Sequence, residues 1–361
     1  MHDTPTTTLP PSTSPREAAG AMCVVPFDEG AVQWDAFVAD LGESSFCHLA
    51  GWREVMTDVL GHECLYRVAK DQDGNWHGVL PMVRVRSRLF GHYLVSMPFL
   101  NYGGPLGIPS AQVRLAESAV VEARHSGAEL LELRSRYFAP VNLQLSHRKI
   151  TVLLDLPATV DRLWQEVLPS SRRRQIRRAQ REGIECRFGP DQLEPFYEVF
   201  RRNMRDLGTP VLPLALFDRM KRVFGPVVVF GVAYWCNQPL AAGCGFVWRD
   251  EFEITWVSSL RQHDDKMANM LLYSAFMEEM IGRRVRVFNF GRCTPGGRTH
   301  QFKHQWGGID TPLPWLQWSP RRVTATPSQQ RSAYRLAAVV WRNLPLPLTD
   351  RLGPTLARGL P

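Results

Sequence analysis

VVVFGVAYW (residues 227–235), CNQP (236–239) and LAAGCGFVW (240–248) are two β-branched and aromatic runs joined through four turn-forming residues, the pattern of an antiparallel hairpin. FEITWVS (252–258) adds a third strand of the same kind. MANMLLYSAFMEEMI (267–281) then places apolar residues three and four apart on a broad face, which predicts a helix, and VRVFNF (285–290) is a short apolar strand closing on Gly291. Upstream, helical periodicity covers Leu163 to Glu182, Leu193 to Leu207 and Leu214 to Val223. The second half thus reads as helices, antiparallel strands, a helix and a last strand.

The first half repeats that order. Ala50 to Leu60 carries Trp52, Val55, Met56, Val59 and Leu60 at helical spacing, with Gly61 at its stop. Cys64 to Ala69 and Val79 to Val85 are predicted as a hairpin through Asp73-Gly74-Asn75. Leu94 to Leu106 is a strand entering a Gly-Gly-Pro turn, Gln112 to His125 a helix ending at Gly127, and Leu130 to Leu133 a buried strand, with the lobe closing near Thr151 to Leu154. Repetition of element order, in a chain of 361 residues that is long for one core and comfortable for two, implies two related lobes. The order is that of a GNAT lobe, so the fold class expected is α/β: tandem GNAT-like lobes with mixed central sheets flanked by helices. The boundaries are residues 1–20 as a disordered Thr, Pro and Ser-rich lead-in, 21–155 and 156–319 as the lobes, and 320–361 as a basic, apolar tail.

Hydrophobic content of 44% against 22% charged is that of a globular protein, and the net charge of +8 favours phosphates, anionic polymers or an anionic membrane surface as partners. Seven scattered cysteines without C-x-x-C or zinc spacing fit a reducing compartment. Residues 1–20 lack the apolar core of a signal peptide, and no stretch reaches the roughly 20 apolar residues of a membrane span. The setting expected is the cytoplasm. Ala333 to Trp341 is a basic, apolar helix, expected to dock on the second lobe, with a membrane-surface helix at the inner face of the membrane as the alternative.

Two constellations carry candidate chemistry. Ser170 to Gly183 reads SSRRRQIRRAQREG, with Ile176 and Ala179 as a narrow apolar side. Arg174, Arg178 and Arg181 fall on one stripe and repel unless an anion lies among them; with Arg177 they suit bidentate phosphate contacts, against the plainer reading of a solvated basic face. The second is Phe288-Asn289-Phe290-Gly291-Arg292, Gly296-Gly297-Arg298 and Phe302-Lys303 to Trp306-Gly307-Gly308. A strand flowing into a Gly-rich loop sets backbone amides and Lys303 at a sheet edge, where a fixed cation would stabilise the oxyanion of acyl transfer. The structural alternative is that Lys303 pairs with an acidic neighbour. Glu253 and Asp264 are candidate general bases, since an amine must lose a proton on acylation. His300 and His304 are four apart without an evident third ligand, so no metal is expected. Neither a G-x-S-x-G elbow nor a Walker loop occurs. The segment Arg261 to Ala268 begins like a CoA pyrophosphate turn but lacks its glycines and adds Asp264 and Asp265.

These residues resemble a family. Pro98-Phe99-Leu100-Asn101-Tyr102-Gly103-Gly104-Pro105, the arginine helix with Ile176, Ala179 and Gly183, Gly208-Thr209-Pro210-Val211-Leu212-Pro213, Phe288 to Arg292 and Phe302-Lys303 to Trp306-Gly307 are similar to the Fem-type peptidyltransferases. The likeness is to the FemAB-like proteins associated with exosortase (PEP-CTERM) systems and exopolysaccharide loci, and runs from about Ser45 to Gly308 and, for the FemAB-like group, further through Leu344-Pro345-Leu346 and Gly353-Pro354. It implies tandem GNAT-like lobes and a transition-state role for Lys303.

The function expected is therefore N-acyl transfer, acyl or aminoacyl, to an amine of a cell-envelope or exopolysaccharide precursor. Lys303 is the catalytic residue, with Asn289, Gly291, Arg292, Phe302, Tyr102, Arg174, Arg177 and Arg178 binding substrate. No permanent cofactor is expected; acyl-CoA or aminoacyl-tRNA would be the donor. The alternative is a non-catalytic protein that binds an anionic polymer or RNA through the inter-lobe cleft and the arginine helix.

Overall fold

The computed structural model describes residues 22–27, 30–320 and 332–360, so the expected lead-in, residues 1–20, lies outside the described residues. The first half runs β1 (Cys23–Pro26), α1 (Ala31–Asp40), α2 (Gly51–Glu54), β2 (Glu63–Cys64), β3 (Arg67–Lys70), β4 (Trp76–Leu80), β5 (Val83–Ser87), β6 (Gly91–Val95), β7 (Leu106–Gly107), α3 (Pro109–His125), β8 (Leu130–Leu133) and β9 (Gln144–Ser146). Next come β10 (Ile150–Asp155), α4 (Val160–Arg162), α5 (Ser170–Arg181), β11 (Ile184–Phe188), α6 (Leu193–Leu207), α7 (Leu214–Phe224), β12 (Val228–Trp235), β13 (Gln238–Trp248) and β14 (Glu251–Ser259). The chain continues through α8 (Ala268–Gly282), β15 (Val287–Cys293), α9 (Arg298–His304), β16 (Ile309–Pro312), β17 (Trp315–Trp318), α10 (Ser332–Arg342) and α11 (Leu346–Ala357).

Local chemistry explains most boundaries. Pro109 opens α3 at a position where its missing N–H costs nothing. Gly208 closes α6 in the left-handed conformation, its N–H bonding Arg205 O while Thr209 N reaches Met204 O. The helix expected over Leu163 to Glu182 breaks at Leu168-Pro169, because a residue preceding proline is pushed out of the helical region, and Leu168 sits at ψ 124°.

Among the described residues three sheets result, ordered β1-β3-β4-β7, β2-β5-β6-β8-β17-β9 and β11-β12-β13-β14-β15-β10-β16. The expected first-lobe hairpin is cut in two: β3 pairs β4 in one sheet, while β2 pairs β5 in another. Both of its runs break at the same level, at Leu65-Tyr66 and at Pro81-Met82, where Leu65 N still bonds Met82 O.

The expected lobe boundaries at 155/156 and at 319 also need correction. Ile150–Asp155, assigned to the first lobe, pairs with β15 and β16 inside the second lobe's sheet. Conversely, Trp315–Trp318 lies between β8 and β9 in the first lobe's sheet. The lobes therefore exchange strands, and they also share a core. Phe46 of the first half stacks on Phe246 of the second at 4.2 Å, and Trp52 lies 4.8 Å from Phe224. Buried apolar residues of α1 and α2 are continuous with those of α6, α7, β12 and β13.

The tail docks, as expected, and adds α11, which its prolines had hidden. Trp341 is buried, Ala338 packs where any side chain at Gly208 would stand, and Gly353 sits against Val211. Arg342 donates to Leu207 O, and Asp350 pairs with Arg201 at 2.5 Å.

Candidate active site

β14 and β15 run parallel and are paired only over Glu251 to Glu253 against Val287 to Asn289. Beyond that point β14 stays with β13 and β15 stays with β10. The strands fork in the middle of a sheet, and the edges facing each other across the fork carry backbone groups without a ladder partner. Such edges can receive an extended ligand.

The apex of the fork is polar and buried. Glu253, only 1% exposed, accepts from Asn101 Nδ2 at 2.6 Å and from Thr255 Oγ1 at 3.1 Å. Asn289, fully buried, directs its amide nitrogen to Tyr102 Oη at 2.9 Å and Glu251 Oε1 at 2.8 Å. Its amide oxygen accepts from Thr151 Oγ1 at 2.5 Å and Gly291 N at 2.8 Å. Arg136 pairs with Glu251 and stacks over the Tyr102 ring at 5.2 Å. Asn101, Tyr102 and Arg136 belong to the first lobe, so both lobes build the apex.

The Asn101-Tyr102 loop is rigidly held. Met97 and Phe99 adopt left-handed backbone (φ 65° and 69°), which non-glycine residues take at a cost. Arg134 Nη1 donates to Met97 O and Leu100 O, Arg292 Nη1 to Leu100 O, and Trp315 Nε1 to Asn101 O.

Lys303, 5% exposed on α9, reaches the same apex. Its Nζ donates to Gly291 O at 2.7 Å and Arg292 O at 2.9 Å, and among the described residues it forms no ion pair. The expected alternative of an acidic partner is thus not what holds it. An ammonium has three N–H bonds, so two carbonyls leave one to aim at a ligand. Gly291 allows this arrangement: its φ is 69°, and a Cβ there would stand 3.1 Å from Ile254 O and 3.9 Å from Lys303 Nζ.

Burial sets the protonation of both groups. It raises the Glu253 carboxyl to about 7, with the Glu251 charge acting in the same direction. It lowers the Lys303 ammonium to about 8, against the opposing pull of Cys293 and Glu253. A carboxyl and an ammonium displaced toward neutrality from opposite sides are what proton transfer and oxyanion stabilisation require.

Other sequence-derived residues fall differently. Arg292 spends its guanidinium on Leu100 O and the Trp315 ring, joining the lobes. Phe302 packs on Tyr273 and Trp306, supporting α9 from the core side. On α5, Arg172, Ile176 and Ala179 are buried, and Arg172 Nη2 donates to Gln305 Oε1 at 2.7 Å. Ser170, Arg173, Arg174, Arg177 and Arg181 line one surface groove of about 480 Å³. Arg174 and Arg177 thus meet as expected, whereas Arg178 lies off the groove and Arg173 takes its place, half-buried and bonded to Trp164 O. None of these arginines has a carboxylate partner among the described residues. Glu251, Arg136, Asn101 and Thr151 were not singled out by the sequence; Asn101, inside the quoted loop motif, was the only one with a visible signal. Asp264 stands exposed in the turn before α8.

Asp310 supplies the third group that His300 and His304 lacked in sequence. The hydrogen bonds oppose a metal there. His300 Nδ1 accepts from Gly296 N, which places the ring proton on Nε2, donated to Asp310 at 2.7 Å. The nitrogen facing the cluster has no lone pair to offer.

Residues 170–304 match the family model of the acetyltransferase (GNAT) domain. The fold is a tandem GNAT fold. The crystal structure of FemX superposes with a TM-score of 0.63 at 10% identity, covering 83% of this chain and 100% of that one. L-PGS from Bacillus licheniformis gives 0.51 at 11% identity, covering 86% and 95%, and a tandem GNAT protein from the clavulanic acid biosynthesis pathway gives 0.53 at 12%, covering 82% and 98%. At such identities the likeness is one of fold. No curated protein matches the sequence. The matched GNAT domain makes this chain an acyltransferase, and the match contains Glu253, Asn289 and Lys303. No helix among the described residues is long and apolar enough to cross a membrane.

Proposed function

We propose that this GNAT protein transfers an acyl or aminoacyl group to an amine of a cell-envelope or exopolysaccharide precursor, with the reaction centred at the fork between β14 and β15. The observation that carries this reading is the pairing of a buried carboxyl raised to about 7 with a buried ammonium lowered to about 8 at that fork. The amine nitrogen attacks the donor carbonyl carbon, and Glu253 takes the proton that the nitrogen loses. The free N–H of Lys303 stabilises the oxyanion, whose collapse expels the donor's thiol or ribose hydroxyl, protonated by Glu253 as it leaves so that the carboxylate is regenerated. Asn289 and Gly291 set the distance between the two groups, and Tyr102 closes the site from the first lobe.

Aminoacyl-tRNA is the donor favoured here over acyl-CoA. The arginine groove on α5 spans Ser170 to Arg181, about 16 Å of helix, enough for several phosphates. At the turn before α8, where a pyrophosphate would need open backbone amides, Asp264 and Asp265 stand exposed. The cytoplasm, where charged donors are made, is the compartment this reading requires.

The test is binding and turnover with acetyl-CoA and with a charged tRNA mimic, in the wild type and in Lys303→Ala. Saturable binding of the charged RNA, with turnover lost about 10²- to 10³-fold in the variant at unchanged melting temperature, is the expected result. Undiminished turnover in Lys303→Ala would refute the role of the lysine. RNA binding without turnover of any donor would leave a binding protein in place of an enzyme.

A further inference from the structure

Glu251 and Glu253 stand two residues apart on β14 and so share one face of the strand. One amide nitrogen, Asn289 Nδ2, approaches both, at 2.8 Å from Glu251 Oε1 and 3.5 Å from Glu253 Oε2. Two carboxyls held this close in a buried site resist ionising together, so their surroundings decide which of them keeps a proton.

Glu251 has the cation. Arg136, which follows β8 in the first lobe, pairs with it, and the two side chains are only 19% and 13% exposed, so water screens the pair little. Aromatic rings hold the guanidinium in place: its carbon lies 5.2 Å from the centre of the Tyr102 ring and 5.6 Å from that of Tyr137. Glu253 has neutral donors alone among the described residues. Asn101 Nδ2 and Thr255 Oγ1 both bond its Oε1, and Oε2 meets just the long approach of Asn289. Oε2 is therefore the oxygen free to carry a hydrogen.

The other charged and titratable groups facing Glu253 leave this division intact. Burial keeps the Cys47 thiol and the Tyr102 phenol protonated across neutral pH. Burial also lowers Arg292, to about 10, which leaves it charged, and its guanidinium is spent on Leu100 O. Lys303 is bonded to two carbonyls and loses its proton near 8, so it touches only the upper part of the Glu253 titration. We propose that Arg136 is a positioning residue: it holds Glu251 ionised from the first lobe and so leaves Glu253 as the carboxyl that binds and releases the proton. The inference rests on the reading of Glu253 as the base only for its effect on rate, because the ionisation itself is measured without turnover.

The experiment is a carbon-13 NMR titration of the full chain labelled at its glutamate carboxyl carbons, in the wild type, Arg136→Gln and Arg136→Lys, with Glu251→Gln and Glu253→Gln assigning the two signals. In the wild type Glu253 titrates near 7 while Glu251 stays at its ionised shift. In Arg136→Gln the proton is shared: Glu251 titrates within the same range, and the last step of the pair moves up by about one unit. Arg136→Lys keeps the charge and restores the wild-type pattern. A silent Glu251 in Arg136→Gln, or a Glu253 step that does not move, overturns the inference. Should Arg136→Gln fail to fold, Glu251→Gln answers the same question: its Glu253 step falls by about one unit if Glu251 is ionised in the wild type, and an unmoved step overturns the inference. The kcat/KM profile for the charged tRNA mimic separates the two readings. An acidic limb that follows the NMR steps supports both, whereas a limb that ignores a shifted Glu253 removes Glu253 as the base and leaves the role of Arg136 standing.

Discussion

Replacing Glu253 by Gln should make the protein more stable and less active at once, by an amount that depends on pH in a defined direction. In the folded chain burial holds the carboxyl at about 7, against an ordinary value of 4.5. Between those values the folded state keeps a proton that the unfolded chain has released, so wild-type stability falls as pH rises through this window and is flat above it. At about 1.4 kcal/mol per unit, the full displacement corresponds to about 3 kcal/mol. Glutamine is nearly isosteric and its oxygen can still accept from Asn101 and Thr255, but it has no proton to lose. The variant should therefore match the wild type at pH near 4.5 and exceed it by about 3 kcal/mol above neutrality. Urea unfolding at roughly pH 5 and pH 8.5 measures the gap, and acyl transfer by the same samples measures the loss of the base. A gap that does not widen with pH would show that Glu253 is not held neutral by burial; full activity in the variant would remove it from the mechanism.

The pH profile of kcat/KM should be a narrow bell, rising as Glu253 ionises near 7 and falling as Lys303 loses its proton near 8; a profile flat across that range would refute the pairing. Gly291→Ala should cost about 1 kcal/mol of backbone strain and push Ile254 O away from the fork, lowering turnover more than denaturant stability. Changing Arg174, Arg177 and Arg181 together to Gln should weaken binding of a charged tRNA mimic and flatten the log-affinity against log-salt slope by about 2, while leaving kcat at saturation intact.

The second lobe was legible because its elements announce themselves locally. The hairpin of β12 and β13 follows from two β-rich runs, and α6 ends where Gly208 says it must. Pairing between distant strands was not legible, since Ile150–Asp155 and Trp315–Trp318 look alike as apolar runs and nothing in either names its neighbours. α11 was hidden by Pro347 and Pro354; the former sits in the first turn, where no helical N–H is needed, and the latter is tolerated inside the helix. At the site, Lys303 and Asn289 could be picked out because a glycine and a strand end mark them. Glu253 could not be separated from Asp264, because what distinguishes them is burial against the first lobe. Arg136 and Asn101 become partners of the acidic pair only when the lobes meet.

The strand exchange has a consequence for biosynthesis. During synthesis β8 emerges early, yet the strand that must lie beside it, β17, leaves the ribosome only after the whole second lobe has been made. The first lobe must wait, with an open sheet edge and half of the shared core uncovered, while the second lobe in turn depends on β10 made before it. Ordinary domain-by-domain folding during translation is closed to such a chain. Separate expression of either half should yield aggregation in place of a working lobe, and the polypeptide should depend on chaperones until Trp318 is free to close the first sheet.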